Sequence, residues 1–436
     1  MAIEEIYQLY LQHPVISTDT RNIAPGSMFF ALKGDKFDAN TFATKALDVG
    51  AAYAIIDNEA YSLAQNTILV DDVLTTLQNL ARYHRQQLQI PVIGLTGSNG
   101  KTTTKELINA VLSQQFKVLA TQGNLNNHIG VPLTVLSINA THQIAVVEMG
   151  ANHQKEIELL CSIAQPSHGL ITNVGKAHLE GFGGIEGVRK GKGELYDYLK
   201  ASGGTAFVSS HSPDLVRMQE ERHIENVVYY GRRSFLDTIH GNLTANAPFL
   251  ALQWMLAGAE ETIYSVTSNL TGEYNLDNIL AAICIGHHFG LNPAQINAGI
   301  EGYQPNNNRS QIVKTAANML ICDYYNANPS SMVVAIDNLD KMQADKKVMI
   351  LGDMFEMGPE AAAEHEAIIK AALAVNATDH IFIGDEFYKH QPKYKGTFYQ
   401  TTEDAIAGLK TENITGATVL VKGSRGMALE RLAAYL

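Results

Sequence analysis

Hydrophobic and polar positions alternate along the chain in patterns that differ between three stretches, the first of which covers residues 1–88. Short apolar runs at residues 28–32 (MFFAL) and 52–56 (AYAII) have the length and composition of strands, while the spacing over 41–48 is helical. The helical pattern that follows ends before Pro91, because proline disfavours the helical conformation in the residue before it. We therefore predict a small mixed α/β domain at residues 1–88.

The second stretch, residues 89–305, begins with a strand, a glycine-containing loop and a helix. The apolar run 92–95 (VIGL) predicts the strand and the pattern over 104–114 predicts the helix, an order typical of phosphate-binding units. Two further apolar runs, Ile144–Glu148 and 169–173, each end in a polar residue, where strands of a parallel sheet present ligands. This pattern predicts a central mononucleotide-binding domain built on a parallel sheet.

The third stretch, residues 306–436, alternates strands and helices most regularly. The apolar runs that predict strands are 319–322, 348–351, 380–383 and 419–421, and the helical patterns between and after them are 331–339, Ala361–Ala374, Thr402–Leu409 and 427–435. Alternation at this spacing is typical of a Rossmann-like parallel sheet. The predicted fold class is therefore α/β, with three domains.

Composition and charge narrow the possible functions. The 436 residues, of which 46% are hydrophobic and 17% charged, have the composition of a folded multidomain protein. A formal net charge of −12 argues against a nucleic-acid surface, since phosphate backbones require clustered lysine and arginine. The three cysteines have no paired spacing, no apolar run approaches the ~20 residues of a membrane span, and the N-terminus is acidic. We expect a reducing, cytoplasmic location.

The loop after residue 96 carries the clearest chemical signal. It departs from the pattern G-x-x-x-x-G-K-[ST], because Leu95 stands five positions before Gly100. The required chemistry is nevertheless present, since glycines allow backbone N–H groups to face phosphate oxygens, Lys101 carries charge to the β- and γ-phosphates, and the Thr102 hydroxyl is a magnesium ligand. The sequence predicts an ATP site here, and the alternative is a tight strand-to-helix turn with an incidental lysine.

Other polar residues are weaker candidates when each is considered alone. Glu148 ends an apolar strand, where a carboxylate needs a compensating cation, so it is a candidate magnesium ligand unless the strand end is solvated. His178 follows the next strand and can reach the same sheet edge, but a lone histidine is usually structural. Lys192 lies in what reads as a solvated charge run. Residues 322–329 combine amide and phenol groups suited to a small molecule, or form an asparagine-rich turn before a helix.

Taken together, these segments resemble the Mur ligase family over the whole length of the chain. The motifs shared with the family in general are 95–103 (LTGSNGKTT), 147–150 (VEMG), 177–180 (AHLE) and 272–278 (GEYNLDN). The motifs similar to its dipeptide-adding branch are 124–134 (NLNNHIGVPLT), 181–183 (GFG), 325–330 (YNANPS) and 421–426 (VKGSRG). The displaced glycine of the loop is itself the pattern of this family, so the deviation favours an amide-bond ligase.

The resemblance implies an activity and its partners. The family uses ATP and Mg²⁺, at two sites, to activate a carboxylate as an acyl phosphate, and the dipeptide-adding branch joins D-alanyl-D-alanine to UDP-N-acetylmuramoyl-tripeptide in peptidoglycan precursor synthesis. The expected partners are these small molecules, with no nucleic acid and no membrane span, and a monomer suffices. The rival interpretations are a ligase that adds an amino acid to a shorter UDP-muramoyl peptide or glutamate to folate, and a P-loop kinase or nucleotide switch.

The resemblance also assigns roles to residues. It implies catalytic roles for Lys101, His178 and Lys192, with one magnesium at Thr102 and Glu148 and a second at His178 and a carbamylated Lys192. The implied ATP contacts are Gly97, Ser98, Asn99, Gly100, Lys101, Thr102, Thr103, Asn275, Asn278, Arg309 and Asp323. The implied substrate contacts are Asp19, Thr20 and Arg21 for the UDP-sugar, Asn126 and Asn127, and Asn326 and Asn328 for the dipeptide. Cys322 and Asn308 depart from the family pattern, which commonly has aspartate and glycine there.

Overall fold

The computed structural model describes residues 1–34, 36–62, 65–232, 236–246, 248–259, 261–411 and 414–436. Within these residues the strands form three larger sheets and one short hairpin. Each larger sheet is formed by one of the three stretches that the hydrophobic pattern distinguishes, so the predicted α/β class is confirmed.

The first sheet has the strand order β1-β2-β5-β6, and all its strands are parallel. The elements of this region are α1 (Ile3–Gln12), β1 (Ile16–Ser17), β2 (Met28–Phe30), the hairpin strands β3 (Lys33–Gly34) and β4 (Phe37–Asp38), α2 (Ala43–Asp48), β5 (Tyr53–Ile56), β6 (Thr67–Leu69) and α3 (Val73–Gln87), with 3-10 turns at Ala39–Phe42 and Glu59–Tyr61. Helix α3 starts where the Asp72 carboxylate accepts a hydrogen bond from the Thr75 N–H. Its buried Leu77 and Leu80 share a hydrophobic core with Val131 of the next region.

The second sheet has the order β15-β14-β13-β12-β11-β10-β7-β9-β8 and is parallel from β8 to β13. Its strands are β7 (Val92–Thr96), β8 (Val118–Ala120), β9 (Ile144–Glu148), β10 (His168–Ile171), β11 (Thr205–Ser209), β12 (Asn226–Gly231), β13 (Asp237–Ala245), β14 (Ala251–Leu256) and β15 (Tyr264–Thr267). Its helices are α4 (Lys101–Leu112), α5 (Gly130–Leu136), α6 (Glu156–Ala164), α7 (Leu179–Phe182), α8 (Ile185–Ser202), α9 (Pro213–Arg222), α10 (Asn275–His288) and α11 (Pro293–Gly302). Strand β7 lies between β9 and β10, so the carboxyl ends of all three strands meet at one edge.

The third sheet has the order β16-β17-β21-β18-β19-β20, and only the edge strand β16 runs antiparallel to its neighbour among the strands described. Its elements are β16 (Gln311–Lys314), β17 (Met319–Asp323), α12 (Pro329–Lys341), β18 (Lys347–Gly352), α13 (Ala361–Ala374), β19 (Asp379–Ile383), α14 (Asp385–Tyr388), β20 (Thr397–Tyr399), α15 (Thr402–Leu409) and β21 (Thr418–Lys422), with a 3-10 turn at Gly358–Glu360. Apolar clusters cover both faces of the sheet, as a Rossmann-like sheet requires.

Several element boundaries differ from the predicted ones, among them the end of β10 at Ile171 and not at residue 173. Two of the differences concern the start or the type of a helix. Helix α4 begins at Lys101 and not near residue 104, because Gly100 takes a left-handed conformation and ends the loop there. The predicted helix over 427–435 consists of 3-10 turns at Arg425–Met427 and Leu429–Tyr435. Cys161, Cys284 and Cys322 are buried free thiols, and no helix of the described residues is long and apolar enough to cross a membrane.

Candidate active site

The loop between β7 and α4 depends on glycine at two positions. Gly97 has a φ of 147° and Gly100 has a φ of 78°, conformations that side chains disfavour. A Cβ atom on Gly97 would lie 2.0 Å from the Thr172 Oγ1 atom, and one on Gly100 would lie 2.8 Å from the Asn278 Oδ1 atom. The loop is therefore packed tightly between two neighbouring segments, and glycine is required for this close approach.

Residues that follow β10 hold the loop in place. The Thr172 hydroxyl donates to the Asn99 carbonyl oxygen at 2.6 Å, and the Asn99 N–H donates to the Asn173 Oδ1 atom at 3.0 Å. The Ser98 hydroxyl donates to the Gly175 carbonyl oxygen at 3.0 Å. These bonds fix the backbone of the loop at the N-terminus of α4, a position that favours anions.

Lys101 supplies the positive charge of the loop. Its Nζ atom donates to the carbonyl oxygens of Gly97, at 2.7 Å, and of Ser98, at 3.2 Å. Burial lowers the pKa of this amine and the charge of Arg309 lowers it further, while Glu148 raises it. An ammonium has three donors, so one remains for an anion that lies against the loop.

A hydroxyl, a carboxylate and an amide are hydrogen-bonded to one another next to the loop, on Thr102, Glu148 and Asn126. The Thr102 hydroxyl lies 2.9 Å from Glu148 Oε2 and 3.1 Å from Oε1, and the Asn126 amide donates to Oε1 at 2.8 Å. Glu148 is 1% exposed, and among the described residues no lysine, arginine or histidine nitrogen lies within 4.0 Å of its carboxylate. A buried carboxylate without a cation is unfavourable, and a hydroxyl with a carboxylate is a typical donor set for Mg²⁺.

Lys192 does not lie on a solvated face, so the interpretation of its surroundings as a surface charge run is wrong. The residue is 1% exposed, its Nζ atom donates to the Ala151 carbonyl oxygen at 3.2 Å, and it lies 5.0 Å from the centroid of the Phe182 ring. Burial lowers the pKa of this amine well below its usual value, and the charge of Lys101 contributes. In the described part of the chain, no carboxylate lies within 4.0 Å of the Lys192 amine.

His178 joins the central region to the C-terminal region. Its Nδ1 atom lies 2.5 Å from the Glu356 Oε2 atom, across 178 positions of sequence. Both residues have left-handed backbone conformations, with φ values of 52° and 61°, which non-glycine residues adopt mainly where the surrounding structure requires it. Burial lowers the pKa of the imidazole, and Lys101 and Lys192 are near enough to contribute.

A second contact between these regions involves the loop itself. The Asn99 side chain accepts a hydrogen bond from the Asn328 amide at 2.8 Å and donates one to the Ser330 hydroxyl at 2.9 Å. Asn328 also caps α12 by accepting from the Ser331 N–H. The asparagine-rich segment before α12 is therefore the start of a helix and also contacts the loop. It can form a turn before a helix and still bind a small molecule, so the two interpretations of residues 322–329 are compatible.

Residues on the other side of the loop also form a connected group. Asn278 accepts from the Thr104 hydroxyl at 3.0 Å and donates to Asn275 Oδ1 at 2.9 Å. Asp323 pairs with the buried Lys422 at 2.7 Å across the adjacent ends of β17 and β21. These side chains face the same opening as the loop.

Arg309 and Tyr325 lie in the same opening. The Arg309 guanidinium stacks on the Tyr325 ring, 3.7 Å from its centroid, and Arg425 lies 5.0 Å from the same centroid. Such cation–π contacts hold a planar guanidinium in a fixed orientation.

A cavity of about 810 Å³ brings most of the predicted site residues together. The predicted residues that line it are Ser98, Asn99, Gly100, Lys101, Thr102, Thr103, Asn126, Asn127, Glu148, His178, Asn275, Asn278, Arg309, Asp323, Asn326 and Asn328. Gly97 and Lys192 are not among the lining residues. Asp19, Thr20 and Arg21 are not part of it, and Asp19 instead forms an exposed ion pair with Arg21 at 2.6 Å.

The cavity also contains residues to which the sequence interpretation gave no individual role. Tyr325, Glu356 and Lys422 line it. Lys422 could have been found by the same argument as Glu148, because both are charged residues at the end of a buried strand. Among the described residues, no group of three or more histidine, cysteine, aspartate or glutamate side chains is placed to hold a metal ion.

Comparisons with known proteins agree with this geometry. Residues 95–286 match the Mur ligase middle domain, and residues 308–425 match the Mur ligase, glutamate ligase domain. UDP-N-acetylmuramoyl-tripeptide–D-alanyl-D-alanine ligase of Bacillus subtilis (strain 168) is 34% identical over 429 residues, which cover 96% of this chain and 92% of the relative. The ligase of the same name from Escherichia coli (strain K12) is 34% identical, with 97% and 93% covered.

Solved structures show the same similarity. A crystal structure of MurF from Acinetobacter baumannii superposes with a TM-score of 0.86 at 31% identity, covering 96% of this chain and 92% of that one. MurF from Thermotoga maritima in complex with ADP has a TM-score of 0.84 at 26% identity, with 97% and 96% covered. Because relatives above 30% identity align with nearly the whole chain, this protein belongs to the Mur ligase family, whose members are ATP-dependent enzymes that form amide bonds.

Proposed function

We propose that this protein uses ATP to join D-alanyl-D-alanine to UDP-N-acetylmuramoyl-tripeptide, a cytoplasmic step of peptidoglycan precursor synthesis. The observation that carries the proposal is the contact of Asn99 with Asn328 and Ser330. It brings the phosphate loop, which any ATP-dependent ligase needs, into one cavity with the segment that distinguishes the dipeptide-adding branch. The names of relatives at 34% identity support the same substrates.

The reaction needs an activated carboxylate. The terminal carboxylate of the tripeptide attacks the γ-phosphorus of ATP, ADP leaves, and an acyl phosphate forms. The dipeptide amine, in its neutral form, then adds to the acyl carbon, the tetrahedral adduct loses a proton to solvent, and phosphate leaves as the C–O bond breaks and the peptide bond remains. Lys101 offsets the negative charge on the phosphoryl group during transfer, and the loop amides and the N-terminus of α4 orient it.

The donor atoms of Thr102 and Glu148 fit a magnesium ion. A hydroxyl oxygen and a buried carboxylate, with no lysine, arginine or histidine nitrogen within 4.0 Å of it among the described residues, match the preference of Mg²⁺ for hard oxygen ligands, so these two side chains would hold the ion. When bound, the ion neutralises part of the charge on the β- and γ-phosphates. The contact between the two side chains holds the carboxylate in place for this role.

A carbamylated Lys192 fits the second metal position. Its amine is buried, has no carboxylate within 4.0 Å among the described residues, and has a pKa lowered by that burial, so the neutral, CO₂-reactive form is reached more easily than at a solvated lysine. Carbamylation replaces an unfavourable buried cation by an anionic oxygen ligand, which then acts with His178. The contact of His178 Nδ1 with Glu356 Oε2 restrains the imidazole, as partners of metal-binding histidines do.

The remaining assignments follow the three-part division into residues 1–88, 89–305 and 306–436. We assign Asp19, Thr20 and Arg21 to the UDP-sugar, although they lie outside the main cavity. Asn126 and Asn127 belong to the side of the tripeptide, and Asn326 and Asn328 to that of the dipeptide. A monomer suffices, because all these residues come from one chain.

The test is phosphate release from ATP with each substrate omitted in turn. We expect release only when UDP-N-acetylmuramoyl-tripeptide and D-alanyl-D-alanine are both present, with formation of the pentapeptide product seen by mass spectrometry. Lys101→Ala should lower the rate by roughly 10²- to 10³-fold, whereas Lys117→Ala, at an exposed position, should not. Hydrolysis without substrates, or ligation of free amino acids or of glutamate to folate, would contradict the proposal.

A further inference from the structure

A smaller cavity of about 210 Å³ adjoins the main one. This volume lies below the ~300–1,000 Å³ of sites for drug-sized ligands, so it suits a ligand of few atoms. His178, Asn326, Asn328 and Glu356 line both cavities, whereas Arg425 lines only the smaller one. The Glu356 side of the smaller cavity is therefore shared with the main cavity, whereas Arg425 lines a part that is not shared.

The two ends carry opposite charges. Arg425 is a cation for which, among the described residues, no carboxylate lies within 4.0 Å, and its guanidinium lies 5.0 Å from the Tyr325 ring centroid. Glu356 uses one carboxylate oxygen, Oε2, in its contact with His178, and no hydrogen bond of Oε1 is present within the described residues. A ligand with an ammonium group at one end and a carboxylate at the other matches this arrangement.

The spacing of the two charges is fixed by hydrogen bonds between their loops. The Phe355 N–H donates to the Ser424 hydroxyl at 2.9 Å, and the Ser424 N–H donates to the Asp353 carbonyl oxygen at 3.1 Å. The Asp353 carboxylate in turn accepts from the N–H groups at the start of α14. Glu356 therefore directly follows Phe355, and Arg425 directly follows Ser424, the two residues whose hydrogen bonds join the loops.

The wall between the charged ends is small and apolar. It includes Ala177, Ala327, Met357 and the exposed face of Phe355. Such side chains leave room for methyl groups and offer no partner for a longer polar side chain. The Asn326 side-chain oxygen accepts from the Ala327 N–H, and its amide nitrogen, which has no hydrogen bond within the described part of the chain, can donate to a ligand carbonyl.

We propose that this cavity holds the dipeptide, with its carboxylate on the Arg425 guanidinium and its ammonium on the Glu356 carboxylate. This inference rests on the proposed function and adds two specificity-determining residues to it. The orientation fits the chemistry, because the amine that must reach the acyl phosphate lies at the end that opens into the main cavity. The carboxylate takes no part in the reaction and lies on the Arg425 side, which is not shared with the main cavity.

The experiment compares D-alanyl-D-alanine with its C-terminal amide, which lacks the carboxylate. The wild-type protein should prefer the acid by roughly 10- to 100-fold in kcat/KM, the range expected for a charge-assisted hydrogen-bonded pair. Arg425→Gln should lose this preference, mainly through a higher KM for the acid, while the KM values for ATP and the UDP-substrate stay unchanged. Glu356→Gln should raise the KM for both dipeptides equally and keep the preference for the acid.

Arg431→Gln is the matched control, since Arg431 is an exposed arginine of the same region that pairs with Glu403 outside both cavities. It should keep the wild-type preference. Arg425→Lys retains the charge and should keep part of the preference even if Arg425→Gln folds poorly. A wild-type protein that uses acid and amide equally, or an Arg425→Gln protein that still prefers the acid by the wild-type factor, overturns the inference alone. A protein that ligates neither dipeptide overturns the proposed function as well.

Discussion

Acidification should destabilise the central sheet through His168, the first residue of β10. Its ring packs between aromatic neighbours, with centroids 6.1 Å from Phe207, 5.3 Å from His288 and 5.1 Å from Phe289. Burial, with a smaller effect of the His288 charge, lowers the pKa of His168 from 6.5 to about 4. The strand that begins here leads to Thr172 and Asn173, which hold the nucleotide loop, so its stability matters for the site.

The sign and size of the effect follow from proton linkage. Because the folded-state pKa lies below the unfolded one, the unfolded chain binds more protons between pH 4 and 6.5. The stability contributed by neutral His168 is therefore complete above pH 6.5 and is lost as the pH falls toward 4. At about 1.4 kcal/mol per pH unit, the unfolding free energy lost is about 3 kcal/mol once the pH is below 4, and about 2–3 kcal/mol at pH 4.5.

The chain offers a direct probe for this experiment. Trp254 is its one tryptophan, and it is fully buried in β14 of the same sheet, so its fluorescence reports unfolding of this region during urea titration. His168→Phe keeps the aromatic packing but cannot be protonated. Between pH 7.5 and 4.5 the wild-type protein should lose about 2–3 kcal/mol more unfolding free energy than this variant.

One control variant and one expected residual effect make the outcome decisive. His211→Phe changes an exposed histidine and should follow the wild-type pH dependence. His288, whose pKa burial also lowers, remains in the His168→Phe protein, so some acid sensitivity should persist there. If the wild-type and His168→Phe proteins lose the same free energy within about 0.5 kcal/mol, the assigned pKa of His168 is wrong.

Three further predictions concern the site. Thr102→Val should lower kcat roughly 10²- to 10³-fold and raise the Mg²⁺ concentration needed for half-maximal phosphate release. Thr102→Ser, which retains the hydroxyl, should keep most of the activity. An unchanged Mg²⁺ requirement in Thr102→Val would argue against the magnesium assignment. Lys192→Ala should lose most activity and partly regain it with added short-chain carboxylates, and a rate near that of the wild-type protein would refute the carbamate. Asn99→Ala removes the contacts to Asn328 and Ser330 and should lower kcat about 10-fold with little change in the KM for ATP, so a normal kcat would show that these bonds are dispensable.

Local sequence determined the elements and the nucleotide loop. The strand Ile144–Glu148 and the helices Ala361–Ala374 and Thr402–Leu409 have the bounds that the hydrophobic pattern predicts, because periodicity reports which side chains face a core. The loop before Lys101 was recognisable for the same reason, since its glycines, lysine and threonine act within one turn of chain. Parallel pairing then places Glu148 beside this loop, as strand ends alone suggested.

Tertiary structure alone decided which isolated polar residues belong to the site. Lys192 lies in a sequence that resembles a solvated surface, and only packing against Phe182 and Ala151 shows that its amine is buried. His178 meets Glu356, and Arg425 meets Tyr325, across long stretches of chain. No local pattern encodes such pairs, because they arise where strands far apart in sequence, in one sheet or in two, place their following loops side by side. The sequence by itself therefore determined the elements, the family and the phosphate loop, whereas the packing of distant segments decided how the cavities are lined and charged.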